Sequence, residues 1–111
     1  MTNFSNEYLT EEPLLDDVCK TEGLILLEFG APWCPVCQKA QPVIEEVLNK
    51  QAQIKHLKIF DGKGKPLGRA FQIKLWPTLI LLKNGEEIAR EVRPMNTDAV
   101  SRIFADQFSN N

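Results

Sequence analysis

Trp33-Cys34-Pro35-Val36-Cys37 sets two thiols three residues apart at a point where the hydrophobic pattern changes. On its N-terminal side, Leu24-Ile25-Leu26-Leu27-Glu28-Phe29 is apolar but for Glu28 and reads as a central strand covered on both faces. On its C-terminal side, Gln38 to Gln51 reads as a helix, with Ala40, Val43, Ile44, Val47 and Leu48 on one side. The cysteines therefore fall at a strand-to-helix junction. At that spacing they close into a small disulfide ring, or open to a dithiol, with little backbone movement. Within a βαβ pattern this is the sequence form of a redox-active pair.

Working outward, Phe4, Tyr8 and Leu9 are candidate strand residues in a polar start. Thr10-Glu11-Glu12-Pro13 has the form of a helix start, with Thr10 as cap and acids at the positive helix end. Leu14, Leu15, Val18 and Cys19 then form an apolar stripe, which makes Cys19 a buried, inert thiol. Ile54 to Phe60 alternates apolar with basic residues and reads as a second strand, on which His56 is an exposed position without function. Pro66 to Phe71 suits one or two helical turns. Thr78 to Leu82 and Glu87 to Val92 flank Asn84-Gly85, the pair that supplies the positive φ values of a tight hairpin turn. Thr97 to Phe108 is an amphipathic helix with Val100, Ile103, Phe104 and Phe108 inward. A βαβ half followed by a ββα half predicts an α/β fold, a mixed sheet covered by helices. Residues 1–111 read as a single domain, with no linker or internal repeat.

Composition narrows the function classes. The chain is 43% hydrophobic and 25% charged with a net charge of −2, so it carries no basic stripe for nucleic acid. No apolar run approaches the ~20 residues that span a bilayer. Met1 to Glu7 shows neither a basic region nor a long apolar region of the export type. Three cysteines without such a signal do not resemble a structural disulfide framework, so a reducing cytoplasm is the expected location.

Several pieces together resemble the small thioredoxins over nearly the whole chain: Leu9-Thr10-Glu11-Glu12, the strand Leu24 to Phe29, Ala31-Pro32-Trp33-Cys34, Pro42, and Trp76-Pro77-Thr78 followed by Leu-Ile-Leu-Leu-Lys-Asn-Gly. The resemblance implies a thioredoxin fold, with a central mixed sheet of four to five strands flanked by helices on both faces. It also implies a cis peptide before Pro77, beside the dithiol. The implied activity is thiol–disulfide exchange on protein substrates through Cys34 and Cys37, with no cofactor and no metal. Electrons would come from a reductase of the thioredoxin-reductase type, and a monomer is the simple expectation.

Within that reading Cys34, at the helix start, is the attacking sulfur, and Cys37, one turn inside, resolves the mixed disulfide. Pro35 sets the first helical position but removes one N–H, and Pro-Val between the cysteines departs from the family's Gly-Pro. Glu28 stands where the family buries an acid, a proton acceptor for Cys37 with Lys58 as its partner; the plain alternative is a strand-end residue with its head in water. Trp33 shields the dithiol and offers an apolar surface, core packing being the alternative. Trp76, Pro77 and Thr78 form the opposite wall, where an extended substrate segment pairs with free backbone groups. Trp76, Gly30 and Arg93 replace the family's usual residues, and Trp76 is expected to fill volume vacated at Gly30 and, with Arg93, to narrow partner choice.

Other readings are weaker. Cys19, Cys34, Cys37 and His56 lack the paired spacing of a zinc site. Asp61-Gly-Lys-Gly-Lys-Pro lacks the spacing of a phosphate-binding loop. An iron–sulfur bridge between two subunits through Cys34 is a third possibility. A binding module with a dedicated partner and secondary redox activity is the main alternative to the enzyme.

Overall fold

A computed structural model describes residues 4–51 and 53–105. Four strands form one mixed sheet among the described residues: β1 (Leu24–Gly30), β2 (Ile54–Phe60), β3 (Thr78–Lys83) and β4 (Glu86–Val92), in the order β2-β1-β3-β4. β2 runs parallel to β1, whereas β3 is antiparallel to both β1 and β4. A parallel pair cannot be joined by a tight turn and needs a long crossover, which accounts for the helix between β1 and β2.

The period-2 alternation of β1 sorts its side chains to two cores. Leu26 joins Ala40, Ile44, Val47 and Leu48 of α2 (Pro35–Leu48) and Val100 of α4 (Thr97–Arg102). Ile25, Leu27 and Phe29 point the other way, to Val18 of α1 (Leu15–Lys20) and Leu67 of α3 (Pro66–Ala70). The sheet is thus covered on both faces, which is why β1 and β3 are near-continuously apolar. β4 lies at the edge, mostly exposed and rich in charge, a composition that discourages pairing with another chain. No helix among the described residues is long and apolar enough to cross a membrane.

Several sequence expectations are corrected. The first helix starts at Leu15, and its N-cap Leu14 makes no side-chain cap bond. Thr10 is not its cap, and Glu12 works elsewhere: its carboxylate accepts the Leu67 N–H in the first turn of α3, at 3.0 Å. Only Val18 of the expected stripe is buried; Leu14, Leu15 and Cys19 are exposed, because this short helix turns little of its surface to the sheet. Phe4, Tyr8 and Leu9 form no strand. Their segment instead follows the outer side of β2, with the Leu9 N–H on the Lys58 carbonyl at 2.9 Å. α2 begins at Pro35, three residues before the expected start, and contains Pro42. In α4 the Asn96 side chain caps Ala99, and Val100, Ile103 and Phe104 are buried as expected, while Phe108 lies outside the described residues.

The hairpin turn is as the sequence predicts, with φ of +51° at Asn84 and +85° at Gly85. Here glycine is required twice over. Its φ disfavours any side chain, and a β-carbon would run into the backbone carbonyl of Cys19. Gly85→Ala is expected to lower the thermal midpoint by several degrees, from a loss of more than about 1 kcal/mol. An unchanged midpoint would mean that the α1 backbone yields freely.

Candidate functional site

The dithiol sits where the C-terminal end of β1 passes into α2. The Cys34 N–H bonds the Ala31 carbonyl at 3.2 Å, which turns the chain after the strand. Cys34 is then the N-cap of α2, and its sulfur accepts the Cys37 N–H at 3.2 Å. Pro35 occupies the first helical position, where its missing N–H costs the helix nothing. The Gln38 amide bonds the Pro32 carbonyl at 2.8 Å and pins the loop to the helix. Both cysteines are thiols, packed with Ala31 and against Val36, Phe60 and Trp76. Both cysteines are buried, Cys34 at 8% exposure and Cys37 at only 1%, so Cys34 is the more accessible residue of the two.

Cys37 has a distinctive surrounding. Burial pushes its thiol up to about 12 from an ordinary 9.0, and its hydrogen bond with the Cys34 side chain adds to the rise. Contacts with the Ala31 backbone and the Tyr8 hydroxyl pull the other way. A cleft of about 440 Å³ opens beside it, lined by the Tyr8 segment, Ala31, Pro32, Gln38, Gln41 and Lys58. At Gly30 a β-carbon would stand 2.5 Å from the Cys37 sulfur and 3.1 Å from the Tyr8 hydroxyl. The expectation that Trp76 fills the space at Gly30 is therefore wrong. Cys37 and Tyr8 stand closest to that space.

Glu28 is fully buried, so the solvated alternative fails. Its expected ion pair with Lys58 is not formed, because a glutamine stands between them. Gln41 donates to Glu28 Oε2 at 2.7 Å and to the Cys37 carbonyl at 2.9 Å, and accepts from Lys58 Nζ at 2.7 Å. The partner of Glu28 Oε1 is His56 Nε2, at 2.8 Å. His56 Nδ1 accepts the Ser5 N–H at 2.8 Å, which leaves Nε2 as the donor to the carboxylate. His56 is thus buried and engaged, not the exposed residue the sequence suggested. Strand register could have found it. Leu24, Leu26 and Glu28 face Ile54, His56 and Lys58 across the parallel pair, so all six share the face that α2 covers.

Trp33 is 65% exposed, with its ring edge-on to Phe60 at 5.1 Å between centroids, so it is a surface residue rather than a core one. The Trp76–Pro77 peptide is cis, as the resemblance implied. The Trp76 indole donates to Asp61 Oδ2 at 2.8 Å. Thr78 is buried and donates to the Leu75 carbonyl at 2.7 Å. The Trp76 carbonyl is not free as expected: Arg93 Nε donates to it at 2.8 Å, while the Arg93 N–H bonds the Pro77 carbonyl. Among the described residues no cluster of three or more His, Cys, Asp or Glu side chains is placed to hold a metal ion.

This geometry can be set beside known proteins. The family model described as Thioredoxin matches residues 5–105. The thioredoxin of Mycobacterium bovis is 31% identical over 103 residues, which cover 92% of this chain and 89% of that protein. A bifunctional thioredoxin reductase/thioredoxin of Mycobacterium leprae is 29% identical over 103 residues, 92% of this chain and 22% of that protein. Among solved structures, reduced thioredoxin 2 from Pseudomonas aeruginosa superposes with a TM-score of 0.82 at 42% identity, covering 93% of this chain and 95% of that one.

The raised Cys37 thiol predicts a pH effect on stability. Above pH 9 the unfolded chain gives up this proton and the folded chain keeps it, so unfolding gains as the pH rises. The contribution is complete below about 9 and gone once the pH passes the folded value near 12. Denaturant midpoints of the reduced protein should fall more steeply across that window than those of Cys37→Ser. Parallel curves for the two proteins would contradict the assignment.

Proposed function

Since the chain belongs to the thioredoxin family and is a thiol–disulfide oxidoreductase, we propose that Cys34 attacks and Cys37 resolves during reduction of disulfides in protein substrates. The observation that carries this division of roles is the difference in setting. Cys34 is the more exposed residue and caps the helix, while Cys37 lies one turn inside with a thiol that holds its proton.

The thiolate is the reacting form of a thiol. The Cys34 sulfur displaces one sulfur of the substrate disulfide, which leaves as a thiolate and takes up a proton. Cys37 then loses its proton and attacks the Cys34 sulfur. The mixed disulfide breaks, the second substrate sulfur leaves, and two electrons have passed from the dithiol to the substrate. The second step is intramolecular, because both cysteines stand on one helical turn. A thioredoxin-reductase-type donor completes the cycle, a reading supported by the natural fusion of the two activities in the Mycobacterium leprae relative. A reducing compartment such as the cytoplasm, and a monomeric state, fit this scheme.

Glu28 and Lys58 act here as holders of the Gln41 link beneath α2. Trp33 presents an apolar surface to partners. Trp76, Pro77 and Thr78 form the docking wall, with Arg93 as a competitor for the Trp76 carbonyl. That last contact favours a second reading, in which the fold docks one dedicated partner and redox activity is secondary.

Insulin-type disulfide reduction separates the two readings. Wild type should be active and Cys34→Ser should lose activity by at least about a hundredfold; no activity in either protein would favour the docking module. Trp76→Ile should change relative rates across several disulfide substrates. Uniform rate ratios would remove the role of Trp76 in partner choice.

A further inference from the structure

Resolution of the mixed disulfide requires Cys37 to become a thiolate inside a buried site, and both oxygens of Glu28, the expected acceptor for its proton, already accept a hydrogen bond. One of its oxygens is held by His56 and the other by Gln41. Gln41 is also fully engaged, by Glu28, the Cys37 carbonyl and Lys58. Besides the Cys34 side chain and the Ala31 backbone, the Cys37 sulfur has the Tyr8 hydroxyl nearby, across the space left by the missing side chain of Gly30. We propose that Tyr8 is a catalytic residue of the resolving step, its hydroxyl donating a hydrogen bond to the Cys37 sulfur as that sulfur becomes a thiolate. This deepens the reading of Cys37 as the resolving thiol and rests on it.

The placement is built by three features. Residue 30 lacks a β-carbon that would crowd both groups, at 2.5 Å from the sulfur and 3.1 Å from the hydroxyl. Lys58 Nζ lies over the Tyr8 ring, 4.6 Å from its centroid. The Leu9 N–H anchors the segment to β2 through the Lys58 carbonyl. Burial and the nearby Glu28 charge keep the phenol protonated, so Tyr8 remains a donor throughout and does not itself take the proton. The Cys37 proton leaves to solvent water through the cleft lined by Tyr8, Gln38 and Gln41. The new Cys34–Cys37 bond then forms as the substrate sulfur departs and is protonated. A hydrogen bond to a charged group is worth enough to change such a rate about tenfold.

The test uses the full chain with Cys19→Ser, because Cys19 is exposed and would react on its own. Dithiobis(nitrobenzoate) is the probe: attack by Cys34 frees one coloured thiolate and resolution by Cys37 frees the second. In Tyr8→Phe the second phase should slow about tenfold relative to the first. An unchanged ratio overturns the role of Tyr8 and leaves the roles of the cysteines standing. Cys37→Ser should release only the first thiolate; release of both would overturn the resolving role of Cys37, and this proposal with it. Tyr8 is the single tyrosine of the chain, so fluorotyrosine reports on it alone in an otherwise native protein. Its fluorine signal should shift between the reduced and oxidised forms, and the signal of the reduced form should itself move in Cys37→Ala. A signal indifferent to both changes overturns the contact even if Tyr8→Phe fails to fold.

Discussion

The hydrogen bond from the Cys37 N–H to the Cys34 sulfur makes the end of a helix and a reactive group a single object. A helix begins with N–H groups that have no partner inside it, and a capping side chain must meet one of them. Here the cap is a thiol. Pro35 has no N–H to offer, so the Cys37 N–H is a remaining donor of the first turn that reaches the sulfur. The same turn that positions Cys34 also fixes Cys37 beside it. Everything that seats this turn therefore contributes to the chemistry: the Ala31 carbonyl on Cys34, the Gln38 amide on Pro32, and the apolar face of α2 on the sheet.

Beneath that helix lies a polar layer that an apolar core would not need. His56, Glu28 and Lys58 are all buried, and burial of such groups is tolerable only when each finds partners. They do so through one connected set of contacts, from the Ser5 N–H through His56, Glu28 and Gln41 to Lys58 and the Asn6 carbonyl. The ends of this chain of contacts are supplied by the N-terminal segment. That segment is consequently part of the site, since it closes the polar layer and carries Tyr8 to the inner sulfur. Gly30 belongs to the same arrangement, because a side chain there would displace the groups that now meet.

The outer wall of the site is built differently, from a bulky ring held in place rather than a small residue left open. Asp61 bonds the Trp76 indole, and the backbone N–H of Asp61 in turn bonds the Gly30 carbonyl at the end of β1. Arg93, with φ of +52°, turns so that both its N–H and its guanidinium reach the strand opening at Trp76 and Pro77. The Trp76 carbonyl therefore already has a donor, and any further N–H brought to it would exchange one hydrogen bond for another, a smaller net gain than pairing with an empty group.

What the residues determined alone was whatever depends on neighbours in the chain. The buried strand Leu24 to Phe29, the hairpin at Asn84-Gly85, the amphipathic face of α2 and the spacing of Cys34 and Cys37 follow from local periodicity and backbone preference. Only the tertiary structure decided which polar groups meet. Alternation in β2 separates its two faces but is silent on what covers each, so His56 reads as an exposed basic residue until α2 is laid over it. The same holds for Thr10, Cys19, Tyr8 and the Trp76 carbonyl. Their environments are set by segments distant in sequence, and burial is a property of packed layers rather than of a stretch of chain.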